Sequence, residues 1–199
     1  PKDLEHLNVT QSEAESLNDD RMARALEAFY ESKHKDVFFR LALRMIKLYE
    51  IDCSRIHQDT TSVTFTGRYS PWTASPLLTY GINKDHRPDL KQVVLGINVT
   101  ADGSIPLVHN IYDGNKTDDT IHIKNHERLR KLLKSSDFIY VADCKLATAS
   151  NLEKIDTCGG CFITVMPKTW KESKEFLEKV KDEKVKWKFL RSIPLNYQC

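Results

Sequence analysis

Two aspartates stand at strand-like stretches of the sequence, where this residue is uncommon. Asp59 lies in the middle of residues 56–67, a run rich in threonine, valine and phenylalanine that favours a half-buried strand. Asp143 directly follows residues 138–142, a short apolar run typical of a fully buried strand. A carboxylate resists burial, so each aspartate needs a partner. The hydroxyls that follow Asp59 can orient its carboxylate, but only a cation can neutralise it.

Asp59 and Asp143 would form a metal site if the fold brings them together. Two close carboxylates repel, and each raises the pKa of the other, whereas a divalent cation between them removes that penalty. Ligation by oxygen alone favours Mg²⁺ or Mn²⁺ over zinc. We therefore predict that the two carboxylates lie within about 6 Å of each other and share metal ions. The alternative for Asp59 is a satisfied polar residue at a β-bulge.

The elements that must position these acids alternate between helices and strands. Antiparallel strands followed by alternating strands and helices predict an α/β fold with a mixed sheet flanked by helices. The apolar stripes of the first two helices are expected to be core. The predicted helices begin near Asn18 and Asp36 and cover 118–134, 148–155 and 170–183, while the predicted strands cover 56–67, 90–100, 105–112, 138–142, 161–166 (buried) and 184–190 (an edge).

Composition is that of an ordinary soluble globular protein. The chain has 199 residues, 40% of them hydrophobic, and a net charge of only +2, so any basic surface must be local. No run is long enough to cross a membrane and no secretory signal is present, which makes the cytoplasm the default location. Five scattered cysteines suit a reducing compartment. The chain starts at Pro1 without a methionine and stops at Cys199, so we expect a fragment.

Four motifs in the chain occur in the same order as in one known family. Together they resemble the DDE transposases of bacterial and archaeal insertion sequences, in the branch whose RNase H-like catalytic domain is interrupted by a β-rich insertion. The resemblance runs from about Asn18 to near Met166. The motifs are Ile56-His57-Gln58-Asp59-Thr60-Thr61-Ser62, Tyr80-Gly81 with Lys84-Asp85-His86-Arg87-Pro88-Asp89-Leu90-Lys91-Gln92, Asp113-Gly114-Asn115 with Asp118, and Val141-Ala142-Asp143.

The resemblance implies a domain organisation and a catalytic site. Residues 1–52 become a helical N-terminal region, and residues 53–199 an RNase H-like catalytic domain that is incomplete at its C-terminus. Asp59 and Asp143 become the first two catalytic acids, which bind two Mg²⁺ or Mn²⁺ ions with a third acid. The family's third acid is a glutamate in a Tyr-x-x-Arg-x-x-x-Glu pattern, which is absent here, so we expect it beyond Cys199.

A competing possibility places the third acid within this chain. Glu172 or Glu175, on the predicted 170–183 helix, could be the third metal ligand, although a solvated helix face explains these glutamates equally well. If the third acid is missing, we expect the chain to bind Mn²⁺ weakly and to cleave DNA poorly or not at all, because two carboxylates supply only part of the ligand set.

The implied activity is metal-dependent DNA strand cleavage and strand transfer during transposition of an insertion sequence. Its partners would be the transposon ends and target DNA, and the full-length protein would be a homodimer. Lys84, Arg87 and Lys91 are candidate phosphate contacts, with a salt-bridged turn involving Asp85 and Asp89 as the alternative. Two other functions are considered: a catalytically inactive remnant or domesticated DNA-binding module, and a hydrolytic RNase H-like nuclease.

The remaining chemically active residues give weaker patterns. His57 lies two residues before Asp59, so strand alternation puts it on the same face. His122 and His126 are four residues apart on a predicted helix but lack a third ligand. Cys158-Gly159-Gly160-Cys161 has the spacing of half a zinc site without a second half, so a tight turn is the plainer interpretation.

Overall fold

The computed structural model describes residues 17–32, 34–67, 69, 77–82, 86–182, 185–186 and 188. The chain forms two compact units, residues 1–115 and 116–199. No helix among the described residues is long and apolar enough to cross a membrane. The elements of the first unit are α1 (Asp19–Glu31), α2 (His34–Tyr49), β1 (Arg55–Phe65), β2 (Thr79–Tyr80), β3 (Lys91–Thr100) and β4 (Pro106–Asp113). Those of the second unit are a 3₁₀ turn (Asp118–Thr120), α3 (His122–Leu133), β5 (Ile139–Val141), α4 (Ala149–Thr157), β6 (Cys161–Ile163) and α5 (Lys171–Lys181).

The first helix begins where its capping residues predict. The Asn18 side chain accepts a hydrogen bond from the backbone N–H of Arg21 at 2.9 Å. This satisfies one of the N–H groups that the first helical turn leaves without a partner. Asp19 and Asp20 occupy that first turn, where negative charge is favoured by the helix dipole.

The apolar stripes of α1 and α2 do not form the core, so that prediction is wrong. No residue of α1 is buried. On α2 the buried apolar residue is Ala42, while Phe38 packs edge-on against His109 of β4 at 4.6 Å between ring centroids. Periodicity identifies which residues share a helix face, but it does not say what covers that face. The exposed apolar side chains of the two helices include Met22, Leu26, Phe29, Tyr30, Val37, Leu41, Leu48 and Tyr49.

The first unit contains an antiparallel sheet centred on β3. Strand β1 pairs with β3 from Ile56 opposite Thr100 to Phe65 opposite Lys91. β4 pairs with the other edge of β3, and the short β2 joins its start. Asp102 and Gly103 lie in the hairpin turn between β3 and β4, as an Asp-Gly pair between two β-rich runs predicts. Gly103 and Ser104 turn the chain there with positive φ angles of 67° and 51°.

The second unit combines parallel strands with helices. β5 and β6 pair in parallel, with Ile139 opposite Cys161. Helix α4 contacts both α3 and β6, and Thr148 caps it by accepting from the backbone N–H of Asn151 at 3.2 Å. The core of this unit includes Leu129, Leu132, Phe138, Tyr140, Leu146 and Ile155.

Three expectations for the second unit need correction or fall outside the described residues. The predicted 161–166 strand is shorter, and it is not buried, because Ile163 and Val165 are 55% and 66% exposed. The predicted 118–134 helix begins with the separate 3₁₀ turn before α3. Most of the predicted 184–190 edge strand lies outside the described residues.

The predicted fold class is confirmed. The protein is α/β, and the six strands within the described ranges form mixed sheet structure, antiparallel in the first unit and parallel in the second. Helices accompany the strands in both units. The strands carrying the two candidate acids, β1 and β5, both form at the predicted places.

Candidate functional site

Asp59 projects from the exposed face of β1. Along this strand His57, Asp59 and Thr61 are exposed while Ile56 and Gln58 are buried, so His57 and Asp59 share a face as alternation predicts. The register with β3 runs without a break through Asp59, so this residue does not lie at a β-bulge. The carboxylate is exposed at the surface. Burial therefore does not explain why it would need a partner.

The Asp59 carboxylate is oriented by the backbone next to it. Its Oδ1 accepts a hydrogen bond from the backbone N–H of Thr60 at 2.7 Å. Among the described residues, no basic side chain pairs with it and its Oδ2 has no hydrogen-bond donor. One oxygen is therefore held by the chain and the other is available to a ligand.

Asp143 occupies the equivalent kind of position after β5. Just after the end of β5, the N–H of Ala142 donates to the carbonyl of Ile163 at 3.1 Å. The hydroxyl of Thr164 donates to the carbonyl of Asp143 at 2.6 Å. The Asp143 side chain accepts from the backbone N–H of Lys145 at 2.9 Å through Oδ1. Its carboxylate is exposed, and the described residues provide no donor to Oδ2.

No cluster of metal-ligating side chains is found around either aspartate in the part of the chain that is described. No group of three or more His, Cys, Asp or Glu side chains there is arranged to hold a metal ion. Glu175 lies near Lys171 on α5, with 3.5 Å between Oε1 and Nζ, and Glu172 belongs to the first turn of the same helix. These are the contacts of a solvated helix face.

The two histidines of α3 belong to the core of the second unit. His122 Nδ1 lies 3.3 Å from the hydroxyl of Tyr140, and both residues are buried. His126 packs against the rings of Phe138 and Tyr140, with centroid distances of 5.3 and 5.7 Å. Burial, and then the positive charge of Arg130, lower the pKa of His126 below its ordinary value. These contacts favour a packing role.

Two of the four motifs meet at Gln92, for which the sequence predicted no specific role. Its side-chain Nε2 donates to the carbonyl of Gly114 at 2.6 Å and to that of Ile82 at 3.3 Å. A Cβ at Gly81 would overlap the carbonyl of Gly114, and one at Gly114 would overlap that of Gln92. Close backbone packing therefore explains both glycines. The sequence signal for the Gln92 contact was a polar glutamine at the start of an apolar strand.

The two described candidates for DNA contact, Arg87 and Lys91, have partners within the protein. Arg87 donates two hydrogen bonds to Asp89, at 2.8 and 2.6 Å, which raises the pKa of Arg87 and lowers that of Asp89. The alternative of a salt-bridged turn is therefore observed for this pair. Lys91 donates to the carbonyl of Tyr69 at 2.8 Å. Lys84 and Asp85 lie outside the described residues.

Comparison with known proteins gives structural likenesses only. No protein-family model matches the chain, and no curated protein matches its sequence. A piggyBac transposase synaptic complex with hairpin DNA matches at a TM-score of 0.45 and 15% identity, covering 63% of this chain and 25% of that one. A pre-cleavage Mos1 transpososome matches at 0.39 and 12%, covering 68% and 42%. The catalytic domain of Mos1 mariner transposase matches at 0.35 and 9%, covering 87% and 76%. The chain spans less than half the length of the first two, and likenesses of this strength carry no weight for function, which has to come from the residues.

Proposed function

We propose that the protein is a metal-dependent polynucleotidyl transferase of the transposase type, in which Asp59 and Asp143 are the metal-binding catalytic acids. The observation that carries the proposal is the shared state of the two side chains. Each is an exposed carboxylate, Asp59 within β1 and Asp143 two residues after β5, with one oxygen held by a backbone N–H and no basic partner among the described residues. A carboxylate that is oriented but not neutralised suits a hard divalent cation.

The chain's part in this chemistry is to orient and to bind. The N–H groups of Thr60 and Lys145 fix one oxygen of each carboxylate, which directs the other oxygen outward. Two Mg²⁺ or Mn²⁺ ions, when bound, would supply an activated water or 3′-hydroxyl and stabilise the leaving oxygen of a DNA strand. Positioning and charge neutralisation supply most of the rate enhancement in such a reaction, so little covalent work falls to the protein.

The described residues fit such a site only in part. Two carboxylates match the ligand type, but the third ligand is not found among the described side chains. We therefore expect weak Mn²⁺ binding and poor DNA cleavage by residues 1–199. The proposed DNA substrates are the ends of an insertion sequence and a target site, and the proposed assembly of the complete protein is a homodimer.

Mn²⁺ binding tests the assignment of the two acids. Titration calorimetry on wild type, Asp59→Asn and Asp143→Asn should show at least a tenfold loss of Mn²⁺ affinity in each variant, since each loses a charged ligand. Asp137→Asn is the matched control, because Asp137 is exposed and lies in the same unit as Asp143. Wild-type affinity in both Asp59→Asn and Asp143→Asn would refute the proposal.

DNA cleavage tests whether the ligand set is complete. Strong Mg²⁺-dependent cleavage by residues 1–199 that is lost in Asp59→Asn would show that the third acid lies within this chain. Glu172 and Glu175 would then be the first positions to substitute.

The second candidate function is a catalytically inactive DNA-binding module that keeps the fold without the chemistry. This module would bind DNA equally well with Mg²⁺ and with a chelator, and Asp59→Asn would leave that affinity unchanged. Cleavage by the complete protein that depends on Asp59 would exclude it.

A further inference from the structure

An aromatic pocket lies at the end of β1, in the first unit. Its volume is about 300 Å³, at the lower end for small-molecule sites, which suits a group of about nucleotide size. Its lining combines three aromatic rings with one lysine and one aspartate. These residues are Phe65, Tyr69, Tyr80, Asp89, Leu90 and Lys91.

Strand register places the lysine between two of the rings. Lys91 is directly opposite Phe65 in the β1–β3 pairing and directly opposite Tyr80 in the β2–β3 pairing. Directly opposite residues project from the same face of an antiparallel sheet. The ammonium nitrogen of Lys91 lies 5.9 Å from the centroid of the Tyr80 ring, within cation–π range. Tyr80 is 59% exposed, so its ring offers open surface to a ligand.

The pocket is held in shape by contacts among its own residues. The Tyr69 ring meets Phe65 edge-on, with centroids 5.9 Å apart, and its hydroxyl donates to the carbonyl of Thr66 at 3.3 Å. The carbonyl of Tyr69 accepts the hydrogen bond from Lys91. An ammonium group has three donors, and two of them have no acceptor among the described residues.

The charges around the pocket favour an anionic ligand. Two nitrogens of Arg87 donate hydrogen bonds to the carboxylate of Asp89, and the positive charge of Arg87 offsets the negative charge of that carboxylate. Lys91 then adds an ammonium group whose described partners are a carbonyl oxygen and an aromatic ring. Stacking surfaces beside a net positive charge are the combination that single-stranded nucleic acid binding requires.

We propose that this pocket binds an unpaired nucleobase of single-stranded DNA, with Tyr80 as the stacking platform and Lys91 at the adjoining phosphate. A paired base is stacked on both of its faces within a duplex, so it has no face to offer. Phe65 and Asp59 are separated by an even number of strand positions, so they share a face of the sheet, about 20 Å apart along the strand. A single strand bound here would therefore run along the face that carries Asp59. The inference rests on the proposed function insofar as DNA is the substrate.

A fluorescent base analogue tests the stacking. The fluorescence of 2-aminopurine in a short single-stranded oligonucleotide should be quenched when the oligonucleotide binds the wild-type protein in the presence of a chelator. Tyr80→Ala should relieve the quenching and weaken affinity roughly tenfold, as expected when one stacking platform is removed. Tyr80→Phe should retain both signals because it keeps the ring. Tyr49→Ala is the matched control, since this tyrosine is also exposed but lies on α2.

Two results would overturn the proposal. One is an affinity of Tyr80→Ala equal to that of Tyr49→Ala, and the other is binding of dAMP as tight as that of the oligonucleotide, which would make this a free-nucleotide site. The fluorescence is measured without metal, so its outcome is independent of the Mn²⁺-binding test of Asp59 and Asp143. Quenching that depends on Tyr80, together with Mn²⁺ binding that does not depend on Asp59, would support the pocket while refuting the proposed catalytic site.

Discussion

The side-chain amide of Gln92 and the carbonyl oxygen of Gly114 are joined by a 2.6 Å hydrogen bond between residues 22 positions apart. The backbone N–H of Gly114 in turn donates to the carbonyl of Leu77 at 3.0 Å. Gln92 is fully buried, so this bond forms where water does not compete. These two hydrogen bonds connect the end of β4 to the start of β3 and to the segment that precedes β2.

Gly114→Ala should destabilise the first unit. The added Cβ would overlap the carbonyls of Gln92 and Thr79, and overpacking against backbone typically costs about 1–3 kcal/mol. We expect a lower denaturation midpoint by circular dichroism. Gly159→Ala is the comparison, because its Cβ would meet no atom within 4 Å and only its φ of +69° opposes the change. A larger loss at Gly159 than at Gly114 would contradict the packing explanation.

The sequence predicted the strands that contain Gln92 and Asp59, but it did not predict the contact between Gln92 and Gly114. Strand β1 and the hairpin after β3 formed as expected because β-rich runs and an Asp-Gly turn are local signals. The bond from Gln92 to Gly114 depends on how distant strands are placed, which no local pattern contains. The pocket at Tyr80 was unforeseen for the same reason, since three separate stretches supply its walls.

The error over α1 and α2 has a different cause. An amphipathic stripe such as the one containing Leu26 predicts a helix and a preferred face. It cannot predict whether another element packs on that face, and Leu26 is 66% exposed. For Asp59 the predicted strand formed, but the side chain is exposed where the sequence pattern had indicated a half-buried strand.

Substitutions in α1 and in the core of the second unit should differ strongly in cost. Leu26→Ala removes an exposed side chain and should change the free energy of unfolding by less than about 0.5 kcal/mol. Leu129→Ala leaves a cavity at a side chain with 0% exposure and should cost about 2–5 kcal/mol. Urea denaturation of the two variants measures both values. A loss at Leu26 as large as that at Leu129 would show that the α1 face is covered in solution.

His126 should make stability depend on pH in the weakly acidic range. Its folded pKa is lowered by burial and by Arg130, against a smaller opposing effect of Glu127, so the unfolded chain binds the proton more tightly. Stability should therefore fall as pH drops below the ordinary histidine value, from about pH 7 towards about pH 5. His126→Phe keeps a ring against Phe138 and Tyr140 and should lose less stability over that range than wild type. Equal pH dependence in thermal melts of the two proteins would contradict the prediction.

The salt dependence of DNA binding should distinguish a phosphate-binding turn from a structural one. Removing one cation that binds a phosphate should reduce the slope of log affinity against log salt by about one unit and weaken binding to all sequences alike. Arg87→Ala with Lys91→Ala should therefore flatten the slope, even though both residues also have partners within the protein. The matched control is Arg44→Ala with Lys47→Ala, which removes the same charge from exposed positions on α2. If affinity and slope match those of the control, with both variants folded by circular dichroism, the Arg87–Asp89 pair serves only to stiffen the turn.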